Sequence, residues 1–166
     1  DGALSNERLI AGGPQESIYQ PEWSPAGDLH FISDRSGWWN LYRWREETIE
    51  PRAPMAAEFG GPQWVFGMAN YTFLADGRIA SIASQDGLDR LVLISPAGAI
   101  QTLDLPYTAY SRRLCASGNT LLFIAASPTE ASAVVHLDLD SGQREILGRS
   151  LEHAPEHAYV SQPRSI

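Results

Sequence analysis

The sequence predicts an all-β protein, a partial β-propeller of about three four-stranded antiparallel blades. Three observations predict it. A phrase made of a glycine turn, a short apolar strand, a polar break and a second strand recurs at Trp23–Trp44, at Phe73–Ile94 and, in worn form, at Ala116–Asp138. The turn glycines Gly27, Gly77 and Gly118 stand 50 and 41 residues apart, and a period of about 45 filled with strands is the signature of radial β repeats. No segment sustains a helical apolar period. Because one blade cannot bury both of its faces, each unit is read as part of a ring.

The elements follow in order. Residues 1–14 are expected to end a preceding blade, with Arg8–Ala11 as its last strand running into Gly12-Gly13-Pro14. The first blade, 15–56, takes Ser17–Trp23 as its inner strand, then Asp28–Ser33, Asn40–Trp44 and Thr48–Arg52. Turn chemistry separates them: Pro25-Ala26-Gly27, Arg35-Ser36-Gly37 and Glu46-Glu47. The second blade, 57–106, opens at Gly60-Gly61-Pro62-Gln63, an echo of Gly12-Gly13-Pro14-Gln15, and runs through Asn70–Leu74, Arg78–Ala83, Arg90–Ser95 and Ile100–Leu105. The third, 107–149, uses Ser111–Ala116, Thr120–Ala125, Ala133–Leu139 and Arg144–Leu147. Its run Leu121-Leu122-Phe123-Ile124 is apolar at successive positions, which predicts a strand covered on both faces by neighbouring blades. Residues 150–166 contain Ser, Pro and His without periodicity and are read as a connector.

Composition narrows the function. The formal net charge is −8, and all 12 basic residues are arginine. That balance argues against nucleic acid, whose phosphates demand a basic face, and the lack of lysine removes Schiff-base and P-loop lysine chemistry. The single cysteine, Cys115, excludes an internal disulfide and favours a cytoplasmic setting. No apolar run reaches transmembrane length and no signal-peptide pattern stands at the start, so no membrane partner is expected. Opening at Asp1 without methionine, and ending just past a Pro-containing stretch, the chain reads as a piece of something longer.

Several strings invite chemistry. His153-Ala-Pro-Glu-His157 matches a zinc-peptidase pattern, but Pro155 breaks the helix that would put both imidazoles on one face, and no third ligand follows. Asp138-Leu-Asp140-Ser-Gly142 resembles the start of a calcium loop, yet lacks its third carboxylate and its bidentate Glu, so a hairpin turn explains it. Asn70-Tyr71-Thr72 is a glycosylation sequon on an expected inner strand. No G-x-S-x-G elbow exists, and His30 and His136 both sit in β patterns, so no catalytic residue is assigned. Neither a metal nor another cofactor is expected. The aromatic cluster of Trp38, Trp39, Tyr42 and Trp44 around Arg35 differs in kind. Two adjacent tryptophans in a turn cannot both enter one core, so one of them faces a neighbouring blade, a partner domain or a ligand. Packing between blades is the alternative.

At Asp34-Arg-Ser-Gly-Trp-Trp-Asn-Leu-Tyr42 the sequence resembles the propeller of the prolyl oligopeptidase family of serine peptidases, on its acylaminoacyl-peptidase and dipeptidyl-peptidase side. Phe59-Gly-Gly-Pro-Gln-Trp-Val-Phe-Gly67, Ser127–Val135 and the tail Ala158-Tyr-Val-Ser-Gln-Pro163 extend the resemblance over nearly the whole chain. It implies a parent in which a C-terminal α/β-hydrolase domain carries Ser, Asp and His while the propeller caps the site and admits short peptides. None of those catalytic positions has a counterpart in this sequence. Arg35, Trp38, Trp39 and Trp64 are the candidates for contact with substrate or with a partner domain. A stand-alone TolB-type propeller that captures a protein partner is the rival reading. Either way, an open arc of three blades is expected to self-associate through its end faces.

Overall fold

The computed structural model describes residues 5–151 together with 160 and 161. Thirteen strands form three antiparallel sheets. The first contains β1 (Ile18–Trp23), β2 (Leu29–Ser33), β3 (Asn40–Arg45) and β4 (Thr48–Pro51) in sequential order. The second repeats the meander with β5 (Tyr71–Phe73), β6 (Ile79–Gln85), β7 (Leu88–Ile94) and β8 (Ile100–Thr102). In the third, β10 (Cys115–Ser117), β11 (Thr120–Ser127), β12 (Glu130–Asp138) and β13 (Arg144–Arg149) follow the same path, and the short β9 (Ala109–Tyr110) also pairs with β11. No helix occurs among the described residues. The architecture is a partial β-propeller.

Two apolar cores lie between the sheets rather than within one. Tyr19, Ile32 and Leu41 of the first sheet meet Phe59, Tyr71, Ala83 and Ile94 across one interface. Leu74, Ile82 and Leu91 of the second meet Tyr107, Leu114, Leu121 and Phe123 across the other. The second sheet can therefore bury both faces because a neighbour stands on either side of it.

The inner strands are stitched across the blades by buried polar groups. Between Tyr19 and Glu22 the β1–β2 register shifts, and there Gln20 takes a left-handed backbone with φ of 46°. Its side chain then supplies hydrogen bonds to the next blade: Oε1 accepts from the N–H of Asn70 (2.6 Å), and Nε2 donates to the carbonyl of Tyr71 (2.8 Å). The Tyr71 hydroxyl returns a bond to the Gln20 carbonyl (2.8 Å). Asn70, fully buried, accepts from Tyr19 Oη (2.9 Å) and donates Nδ2 to the Phe59 carbonyl (2.6 Å). The sequon asparagine is thus a structural strut, closed to glycosylation in the folded chain.

Three expectations change. Arg8–Ala11 forms no strand, because none of the described residues offers it a ladder. The inner strand of the third sheet is not continuous over Ser111–Ala116: it divides into β9 and β10. At the break the chain reaches sideways, where Ala69 donates its N–H to the Arg112 carbonyl (2.8 Å) and accepts from Leu114 N–H (3.0 Å). Finally, β11 is covered on one face only among the described residues. Leu121, Phe123 and Ala125 are buried against the second sheet, whereas Leu122 is exposed, because no described element stands beyond the third sheet. At Asp138 the turn reading is seen directly: its Oδ1 accepts from the N–H groups of Asp140 (2.9 Å) and Ser141 (2.8 Å), bonds that hold its carboxyl below the usual carboxylate range. His153 and His157 lie outside the described residues.

Candidate functional site

In each four-stranded meander the β2–β3 type of turn and the connection to the next blade emerge at the same end of the sheet. The β2–β3 turn (34–39) and the β4–β5 connection (52–70) therefore share one face of the molecule. The two are locked together. Glu58 Oε2 accepts from the Trp39 N–H (2.8 Å), Phe59 N–H donates to the Trp39 carbonyl (2.7 Å), and Glu58 and Ser84 exchange backbone bonds of 2.9 and 2.8 Å. Buried Asn40 holds the start of the connection, donating Nδ2 to the carbonyls of Met55 and Ala57 (both 3.1 Å) and accepting from Met55 N–H (3.0 Å). Gly60 must be glycine, since a Cβ there would stand 2.7 Å from Cε3 of Trp39.

Past Gly60 the connection projects. Trp64 is 85% exposed, Val65 is exposed and Phe66 is fully so. Gln63 ties the base of this projection to the first blade through Nε2 and the Ile18 carbonyl (3.1 Å). Trp38, in the neighbouring turn, is 43% exposed.

The four residues singled out by sequence fall into two classes. Trp38 and Trp64 present their rings to solvent. Trp39 is half-buried, edge-to-face with Tyr19 at 6.1 Å between the first two blades. Arg35 is tied back onto its own blade. Its Nη2 and Nε donate to Glu16 Oε1 (2.6 and 2.8 Å), and its guanidinium lies over Tyr42 (5.0 Å) and Phe31 (5.8 Å). Burial pushes the Glu16 carboxyl up, but the bonds from Ser33 and Arg35 outweigh it and leave that carboxyl below its ordinary value. Val65 and Phe66 were missed as site candidates. Their signal was present in the sequence as an apolar triplet inside a glycine-flanked loop, where nothing local can bury it.

Groups suited to catalysis are engaged otherwise. His30 packs on Phe73 at 5.0 Å, and burial lowers its pKa. Ser84 donates to Asp89 and accepts from Arg112 Nη2 (2.9 Å). Among the described residues no serine hydroxyl hydrogen-bonds an imidazole, and no group of three His, Cys, Asp or Glu side chains could hold a metal.

No protein-family model matches the chain, and no curated protein matches it. Solved structures do. A puromycin-hydrolyzing peptidase of Mycobacterium tuberculosis is 35% identical with a TM-score of 0.90, over 99% of this chain and 25% of that one. A puromycin hydrolase is 33% identical with a TM-score of 0.82, over 94% of this chain and 23% of that one. A prolyl endopeptidase at 12% identity (TM-score 0.65, 89% of this chain and 22% of that one) and TolB propellers at 17% and 15% share the fold. The chain spans about a quarter of the length of the peptidases it matches. With its blade motifs, its radial sheets and an identity of this size over nearly its whole length, the chain is a β-propeller portion of the prolyl oligopeptidase family.

Proposed function

We propose that this chain is a non-catalytic wall of a serine peptidase, which docks on an α/β-hydrolase domain of the same parent and gates the entry of short peptides to it. The observation that carries this reading is the Trp64-Val65-Phe66 tip. Three exposed apolar side chains stand on a connection whose base is hydrogen-bonded to both blades. Large aromatics left uncovered in water mark contact surfaces, because their burial removes much apolar area from water. Trp38 adds a further ring at the same end of the sheets.

Likeness to puromycin-hydrolyzing peptidases over almost the whole of this chain supports a peptidase parent over a stand-alone TolB-type scaffold, whose likeness extends to the fold alone. In the relatives this portion is about a quarter of the protein, which leaves the reacting serine, its base and its acid to the remainder. The test uses the parent protein with Trp64→Ala and Phe66→Ala combined. The expected result is faster cleavage of long peptides relative to dipeptides and a domain junction more open to limited proteolysis. Unchanged length selectivity together with unchanged proteolysis overturns the docking role. Stoichiometric labelling of the isolated chain by a fluorophosphonate overturns the non-catalytic role.

A further inference from the structure

At the opposite end of the sheets from the aromatic tip, the β1–β2 turn of the first blade faces the β5–β6 turn of the second across a cleft of about 520 Å³. This is the size of a small-molecule site. Pro25, Phe73, Ile79 and Pro96 give it apolar walls, and four guanidinium groups, those of Arg43, Arg45, Arg52 and Arg78, line it. In a chain of net charge −8, a third of the 12 basic residues converge on this one place.

Their charges are unequally matched. Asp28 lies 3.6 Å from Arg43 and 3.7 Å from Arg45, Glu50 takes Arg43 at 2.5 Å, and Asp76 takes Arg78 at 2.5 Å. Arg52 has no carboxylate partner among the described residues. Its Nη2 donates to the carbonyls of Ser95 (3.2 Å) and Pro96 (2.7 Å), and its buried Nε has no partner among the described residues. Asp28, Glu50 and Asp76 answer Arg43, Arg45 and Arg78, so Arg52 is the guanidinium of the four without a carboxylate within 4 Å among the described residues. Glu46, 3.6 Å from Arg45, is 84% exposed and screened by water.

We propose that this interblade cleft binds a small organic monocarboxylate with an apolar body. The carboxylate would meet the guanidinium groups of Arg45 and Arg52, both of which line the cleft, through charge-assisted hydrogen bonds, and the body would lie on Phe73, Ile79 and Pro96. A dianion is disfavoured because Arg52 alone of the four lacks a carboxylate partner among the described residues, and the carboxylates already at the cleft would repel a second charge. Both walls belong to this chain, so the site does not depend on the docking role of the opposite face.

The probe is N-acetyl-L-phenylalanine, titrated calorimetrically into the full chain beside its neutral amide. The acid is expected to bind and the amide to bind at least ten times more weakly. Arg45→Gln and Arg52→Gln should each weaken the acid about tenfold, the loss of one charge-assisted bond, and leave the amide unaffected. Arg52 also ties the first blade to the second, so its variant is paired with a thermal-unfolding measurement; Arg45, half in solvent, carries the test if the Arg52 variant unfolds. Equal affinity for acid and amide, no binding of the acid at millimolar concentration, or acid binding indifferent to Arg45→Gln overturns the proposal.

Discussion

Asn70 is the residue on which the junction between the first two blades turns. It is fully buried, and both ends of its amide are used: Oδ1 by the Tyr19 hydroxyl at 2.9 Å, Nδ2 by the Phe59 carbonyl at 2.6 Å. Asn70→Ala leaves that hydroxyl and that carbonyl buried without partners, and each orphaned group costs about 1–3 kcal/mol. The sum is about 2–6 kcal/mol, a large share of the stability of a domain of this size. At roughly 2–4 °C per kcal/mol, a loss of about 4 kcal/mol lowers Tm by about 8–16 °C. Tyr19→Phe removes only one donor and should cost about 1 kcal/mol. Since both changes break the same bond, the double variant should be less destabilised than the sum of the two. Thermal and urea unfolding of the four proteins measure this directly. A Tm for Asn70→Ala within 2 °C of the parent sequence, by about the same conversion, or strict additivity with Tyr19→Phe, refutes the view that this amide couples the blades.

Other outcomes follow from particular contacts. Gly60→Ala drives a methyl group into the Trp39 ring and should destabilise the fold by about 1–3 kcal/mol in chemical denaturation. Trp39→Ala should lower stability by about 3 kcal/mol or more, whereas Trp38→Ala, at an exposed ring, should stay within roughly 0.5 kcal/mol and act only on the parent's turnover or docking. His30, whose pKa burial lowers from 6.5, stays neutral in the fold while the unfolded imidazole takes a proton, so stability should fall as pH drops below 6.5. His30→Phe should flatten that slope. The third sheet leaves Leu122 uncovered on a face that a further blade would occupy, and sedimentation should show association that grows with concentration. A folded, strictly monomeric chain at tens of micromolar would overturn it.

What was legible in the sequence was local. Gly27 and Gly77 mark turns with φ of 86° and 84°, a conformation glycine adopts without strain, and the apolar strands that flank them keep their order in the structure. What was illegible depends on partners distant in the chain. Gln20 has the sequence context of a strand residue, but its left-handed backbone is stabilised by bonds to Asn70 and Tyr71, some fifty positions away. The division of β9 from β10 is likewise made by Ala69, which reaches across from the preceding blade.

Arg35 shows how this affects the reading of a site. Beside two tryptophans it had the composition of a contact surface, and the sequence held no hint that Glu16 would claim its guanidinium or that Phe31 and Tyr42 would lie beneath it. A guanidinium held by two bonds to one carboxylate and laid over two rings is not free to meet a partner without giving those contacts up. Trp64, Val65 and Phe66 are the reverse case, with no polar bond to lose and apolar area to gain. On the proposed docking role, contact with a partner surface would fall to the projecting loop, while the turn that holds Arg35 is the support to which the base of that connection is bonded through Trp39.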